Sequence, residues 1–436
     1  MKLRTRLALS LAAMMASTSA FAQTEIQWWH AMTGANNDVV NKLAADFNAS
    51  QSEYKVTAAY KGSYPDTLNA AIAAFRAGNA PHIVQVFEVG TATMMSAKGA
   101  IKPVGQMMQE AGEKFDPKAY LPAITGYYST AKGEMLSFPF NSSSMVMWVN
   151  KDALKKANVA EIPKTWPDVF EAGKKLKAAG YDKCGFTVAW SPWALIEQFS
   201  AWHNLPLGTK ANGLDGFDTE LKFNSPAHVK LLTDLVALQK DKTYDYSGRG
   251  NENEGRFTSG ECPIMLTSSG FYGNVKANAK FEFAAAPMPY YPDVKGAPQN
   301  SIIGGASLWV MGGKTAPEYK GIAKFFTFLS DTDRQAKLHV ESGYLPITLA
   351  AYEKVKASGF YNQFPDRETP LKELTNKEPT ENSRGLRFGN MVQMRDMWSE
   401  EIEAALAGKK SPQQALDDAV SRGNATLRQF ERTANR

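Results

Sequence analysis

The sequence predicts an α/β protein built as two lobes, each a sheet covered by helices, with a cleft between them. Three observations predict it. Strand and helix patterns alternate from residue 25 onward, a second alternating series begins near residue 145, and three Pro-, Gly- and Ser-rich stretches stand where the chain would cross between lobes.

The elements follow in order. Glu25 to Trp29 reads as a strand, and Val39, Val40, Leu43, Ala44 and Phe47 then fall on one face of an amphipathic helix. Lys55 to Tyr60 is a second strand. The next helix has Pro65 in its first turn, Leu68, Ile72 and Phe75 on one face, and Gly78 as its stop. His82 to Phe87 is nearly all apolar, as expected of a strand buried on both faces. The second series opens at Met145 to Val149. Its helices include one capped by Thr165 with Asp168 three residues on, and one with Ser225 as N-cap, Pro226 at N1 and Val229, Leu232 and Val236 inward. After Gly260 comes the apolar stretch Ile264 to Leu266. Ser301 to Met311 reads as a long strand, followed by helices through Phe325 and His339. Ser411-Pro412 starts a last helix carrying Ala415, Leu416 and Val420. Phe138 to Ser144, Pro287 to Gln299 and Ser342 to Thr348 are the predicted crossovers or loops. The expected boundaries are 23–138 and 288–345 for the first lobe, and 139–287 and 346–436 for the second.

Residues 1–22 read as a leader. Lys2, Arg4 and Arg6 precede an apolar run from Leu7 to Ala16 and then Ala20-Phe21-Ala22, the order of a secretory signal peptide cleaved after Ala22. The run is far shorter than the ~20 residues of a bilayer-crossing helix. No cysteine stands near the cleavage point to carry a lipid, so the mature chain is expected free in the periplasm. The whole chain has 49 basic and 44 acidic residues; the leader takes three of the basic ones and no acidic ones, leaving the mature protein nearly neutral. That spread of charge excludes a nucleic-acid partner, which needs a concentrated basic face. With two cysteines, a disulfide framework and a four-cysteine zinc site are both excluded. In an oxidising compartment Cys184 and Cys262 either pair and close a long loop or lie apart as buried thiols.

Catalytic motifs are missing. There is no G-x-S-x-G elbow, Walker A loop, G-x-G-x-x-G after a strand, or H-E-x-x-H. The five histidines have no metal-ligand spacing; His82 reads as a packed core residue and His228 as a surface residue. No enzyme activity, cofactor or metal is expected. Binding chemistry is better represented. Trp28, Trp29, Tyr60, Tyr64, Trp166, Trp190, Trp193 and Tyr344 stand at strand ends or loops, where aromatic faces stack on sugars and polyols. Three small-residue clusters, Asn141 to Ser144, Ser268-Ser269-Gly270 and Gly304-Gly305-Ala306, let backbone N–H groups approach a ligand and add hydroxyl donors, which suits an anion.

Pro163-Lys-Thr-Trp166 and Phe257-Thr-Ser-Gly260 resemble motifs of the extracytoplasmic solute-binding proteins of ATP-binding-cassette transporters, in the branch that includes the maltose binders. Longer blocks are similar to the members that take sn-glycerol 3-phosphate. They are Tyr60 to Tyr64, Ala73 to Pro81, Val86 to Met95, Pro139 to Ser143, Ile302 to Met311, Gly343 to Thr348 and Gly385 to Met391. The resemblance implies a periplasmic-binding-protein type II fold, two α/β lobes joined by hinge crossovers with the ligand cleft between them. It also implies a monomeric receptor that hands glycerol 3-phosphate, or a glycerophosphodiester, to inner-membrane permease subunits. The ligand shell it implies is Tyr64, Glu88, Ser143, Trp166, Ser268, Gly305, Tyr344 and Arg395. In that set the planar fork of Arg395 suits two phosphate oxygens. Ser143, Ser268, Tyr344 and the Gly305 N–H would complete the phosphate's hydrogen bonds. Glu88, repelled by phosphate, would accept the glycerol hydroxyls at the other end, with Tyr64 and Trp166 enclosing the carbon chain. The alternatives are an oligosaccharide ligand or a secreted phosphoesterase.

Overall fold

The computed structural model describes residues 23–97, 99–130 and 132–434, so the expected leader lies outside the described residues. Among the described residues, nine strands form two sheets. The first contains β1 (Thr24–His30), β2 (Tyr54–Tyr60), β3 (Ile83–Phe87), β4 (Phe138–Ser143) and β9 (Gly304–Val310), in the order β2-β1-β3-β9-β4. The second contains β5 (Met145–Asn150), β6 (Phe186–Val188), β7 (Ile264–Ser268) and β8 (Phe283–Ala286), in the order β6-β7-β5-β8.

The predicted βαβαβ unit is present: β1 pairs in parallel with both β2 and β3. It forms because the connecting helices Gly34–Ser50 and Tyr64–Arg76 bury Val40, Ala44 and Phe47, and Leu68 and Ala71, as their spacing requires. Phe75 is a correction: it is exposed rather than inward. The capping box expected at Thr165 and Asp168 is made, and an equivalent one joins Ser63 to Asp66 at the start of the second helix. His228 is also a correction. It is buried between the hydroxyls of Ser200 and Ser225, 2.8 Å from each, and burial lowers its pKa to about 3.

Phe138 to Ser143, expected as a crossover, is itself a strand. Every residue of β4 is buried and it runs antiparallel to β9, with a bulge between Pro139 and Asn141 where proline has no N–H to give. The change of sheet therefore falls at Ser144, later than the boundary expected at 138/139. β9 in turn is antiparallel to β3 and β4. The chain thus returns from the second lobe to thread a strand into the middle of the first.

This topology sets the site. Glu88 follows the last residue of β3, Ser143 ends β4, Ser268 ends β7, and Gly304 begins β9. Strand ends of both sheets meet at one place, the usual position for a ligand in open α/β sheets.

Candidate binding site

A cavity of about 170 Å³ lies where those strand ends meet. Tyr64, Glu88, Ser143, Ser268, Gly305, Tyr344 and Arg395 all line it. Trp166 does not, and this corrects the expectation. It is the first residue of the helix Trp166–Ala178, buried in the core of the second lobe against Phe170 and Tyr291. The Thr165-Trp166 signal was that of a helix start. Trp190 and Trp193 line the cavity instead. Both stood among the loop aromatics, but nothing in their local sequence separated them from core tryptophans.

One wall is made of neutral hydrogen-bond donors. The Tyr64 hydroxyl is one of them. The Gln85 amide oxygen accepts from the Ala31 N–H at 2.8 Å, so its NH₂ must donate, and it donates to Asn141 Oδ1 at 2.8 Å. The Asn141 NH₂ then donates to the Tyr64 oxygen at 2.9 Å. The relay fixes the direction of every bond and leaves the Tyr64 proton uncommitted beside the Tyr344 hydroxyl. Burial pushes the Tyr64 pKa well up, so the group stays a phenol. Its ring is held by stacking on Phe87 at 5.2 Å.

Tyr344 follows the same rule. Burial raises its pKa to about 12, with Asn141 and Tyr64 close enough to oppose the rise, and its hydroxyl donates to the Met32 sulfur, a weak acceptor, at 3.6 Å. Ser268 Oγ accepts from the Gly270 N–H at 3.0 Å, which frees its own proton. Ser143 Oγ and Trp193 Nε1 are buried without a partner. Orphaned donors are costly in a finished core, and both residues border the cavity.

The opposite wall carries charge. Arg395, on the helix Met391–Leu406, gives Nε and Nη2 to the two oxygens of Glu197, each at 2.7 Å, and Nη2 also reaches Glu88 Oε1 at 2.7 Å. Its fork is therefore closed on Glu197, and Glu88 sits beside it rather than at the far end. Both points correct the sequence reading. Burial raises the Glu88 pKa, with Arg395 opposing that rise and the Glu197 charge adding to it. Glu197 was missed, since it lies in a short π-helical turn, Trp193–Gln198, that no local motif announces. Arg395 Nη1 and Glu88 Oε2 make no hydrogen bond among the described residues. The pair offers one donor and one acceptor side by side.

A family profile described as bacterial extracellular solute-binding protein matches residues 42–367. The chain is 53% identical to a Brucella abortus (strain 2308) protein named sn-glycerol-3-phosphate-binding periplasmic protein UgpB, with 94% of each chain covered. A Pectobacterium atrosepticum protein of the same name is 49% identical, over 96% of this chain and 94% of that one. The chain belongs to the bacterial extracellular solute-binding proteins. Among solved structures, it is similar to UgpB from Mycobacterium tuberculosis in complex with glycerophosphocholine, at a TM-score of 0.76 and 18% identity over 94% of this chain and 99% of that one. The GacH receptor of Streptomyces glaucescens gives 0.77 and 17%, over 94% and 100%. The fold of this solute-binding protein is thus the type II periplasmic-binding-protein fold.

Glycines shape the cavity of this solute-binding protein by permitting close approach. Gly305 has φ +85°, and a Cβ there would lie 1.9 Å from the Asn141 carbonyl oxygen. Gly305→Ala is expected to cost about 2 kcal/mol or more, from overpacking added to the left-handed backbone. Gly78→Ala, also at positive φ (+72°) but with open space around its Cβ, should cost about 1 kcal/mol. Urea denaturation of both variants checks this; equal losses would remove the contact argument.

Proposed function

We propose that this solute-binding protein is a periplasmic receptor that captures sn-glycerol 3-phosphate between its lobes and delivers it to an inner-membrane ABC importer. The observation that carries the reading is the group of neutral donor residues that line the cavity: Tyr64, Tyr344, Ser143 and Ser268. A phosphoryl group supplies acceptors for them. At the other side, Glu88 Oε2 accepts from one glycerol hydroxyl and Arg395 Nη1 donates to its neighbour. Arg395 is already matched by two carboxylates, so it serves the diol and not the anion. The names of relatives at 49–53% identity support the same ligand. Contacts drawn from both lobes make ligand binding favour the closed population.

A second chamber, of about 290 Å³, adjoins the first across Phe87, Trp190, Trp193 and Arg395. It favours glycerophosphodiesters as further ligands, the alcohol substituent lying there while the glycerol phosphate keeps its place.

Isothermal titration with glycerol 3-phosphate, glycerophosphocholine, inorganic phosphate, glycerol and maltose tests this. The first two are expected to bind. Phosphate and glycerol alone should each bind about 100-fold more weakly or worse, because each satisfies one wall only. Glycerol 3-phosphate is expected back intact after incubation, as a receptor and not a phosphoesterase would return it. Tight maltose binding with no response to glycerol 3-phosphate would overturn the reading.

A further inference from the structure

The donor wall contains one acid. Glu254 lines the cavity, nine-tenths buried. Its Oε1 accepts from the Thr267 hydroxyl at 2.9 Å, directly beside Ser268, and its Oε2 has only a long 3.4 Å contact from the Asn251 amide. No lysine, arginine or histidine among the described residues pairs with it. The basic groups nearby are committed elsewhere. Arg256, on the same short helix, is bound to Asp245 and Glu261, and Arg395 across the cavity is bound to Glu197 and Glu88. The other titratable groups that bear on it, Glu252 in the preceding loop and Tyr344 opposite, add negative charge or none.

An unpaired carboxylate beside a bound phosphate dianion would repel it at close range in a medium of low dielectric. The same group, once protonated, becomes a donor and joins the wall. We propose that Glu254 meets the phosphoryl group as a neutral carboxylic acid, its Oε2–H donating to a phosphoryl oxygen, so that capture of the dianion draws one proton from solvent into the cleft. This rests on the phosphate lying at the donor wall, as the ligand reading has it. Burial already holds the Glu254 carboxyl up at about 7 in the unliganded protein, and an adjacent dianion raises it further. Below that value the group is protonated before the ligand arrives and its contribution is fully present. Above it, each binding event must first take up a proton, so affinity falls as pH rises, by up to about tenfold per pH unit.

The test is titration calorimetry with glycerol 3-phosphate at about pH 8, in two buffers of different ionisation enthalpy. Phosphoesters lose their second proton near ~6, so the ligand is a dianion there and contributes no proton of its own. The wild-type protein is expected to take up about one proton per ligand. Glu254→Gln, which keeps a donor and cannot titrate, is expected to take up none and to hold a constant affinity between pH 7.5 and 9. Binding with no proton uptake by the wild type overturns the proposal, as does uptake unchanged in Glu254→Gln. The wild-type measurement stands even if the variant does not fold. Failure of glycerol 3-phosphate to bind in any buffer would overturn the ligand reading and this inference with it, whereas binding without uptake leaves the ligand reading intact.

Discussion

Arg395→Ala is expected to lose about 3–5 kcal/mol of stability, the range seen when one partner of a buried ion pair is removed. Glu88 and Glu197 would be left facing each other, their side chains 5% and 0% exposed, with no cation between them. The loss should depend on pH. In the native protein Arg395 is what opposes the upward shift of Glu88; without it the folded-state pKa rises further above the unfolded value. A group of that kind costs nothing below its unfolded pKa and costs progressively more as pH rises through the folded one. The variant should therefore recover stability between pH 7 and 5. Urea denaturation at both values checks this, and a loss that stays constant with pH would contradict the assignment of the cost to buried, uncompensated carboxylate charge. Glycerol 3-phosphate affinity should fall as well, by about 2 kcal/mol, because the diol loses its donor and Glu88 loses its anchor. An affinity loss under about 1 kcal/mol would remove Arg395 from the site.

The second large effect concerns Cys184 and Cys262, which are joined in a disulfide with a Cα–Cα distance of 5.0 Å. The bond lies just before β6 and β7, which pair in parallel with Phe186 opposite Ile264. β6 is a three-residue edge strand, too short to hold its place by hydrogen bonds alone, and the bond ties it to the sheet across 78 residues of sequence. Closing so long a loop in the unfolded chain restricts it strongly. The double variant Cys184→Ala/Cys262→Ala is expected to lose about 2–5 kcal/mol in denaturant unfolding. Neither cysteine lines the cavity, so its affinity for glycerol 3-phosphate should stay within about threefold of wild type, under 1 kcal/mol. A stability loss under about 1 kcal/mol would mean that the edge strand is held by its packing.

Local patterns carried much of the fold. The capping box of Thr165 and Asp168, the buried run of β3 and the helical spacing between Val39 and Phe47 are each decided by neighbours in sequence, and the structure has all three. The errors share a cause, which is that distant partners decided the outcome. β4 became a strand because β9, far along the chain, returned to pair with it. His228 was buried by Ser200, on another helix. The site shows the same division. Its small-residue clusters were legible because close backbone approach demands small side chains. Glu197 and Glu254 were not, since a glutamate on a short helix looks alike in sequence whether it faces solvent or a cleft. The roles of Arg395 and Glu88 were misjudged for that reason, as the carboxylate that occupies the arginine's fork could not be seen.

The proposed site is polar in one sense, with the phosphoryl group on neutral donors and the diol on the Glu88–Arg395 pair. A crystal structure of the protein with glycerol 3-phosphate tests it most directly. Phosphorus is expected among Ser143, Ser268, Tyr64 and Tyr344, with the Arg395–Glu197 bonds intact. Phosphate oxygens held by the Arg395 guanidinium, with Glu197 or Glu88 displaced, would contradict it.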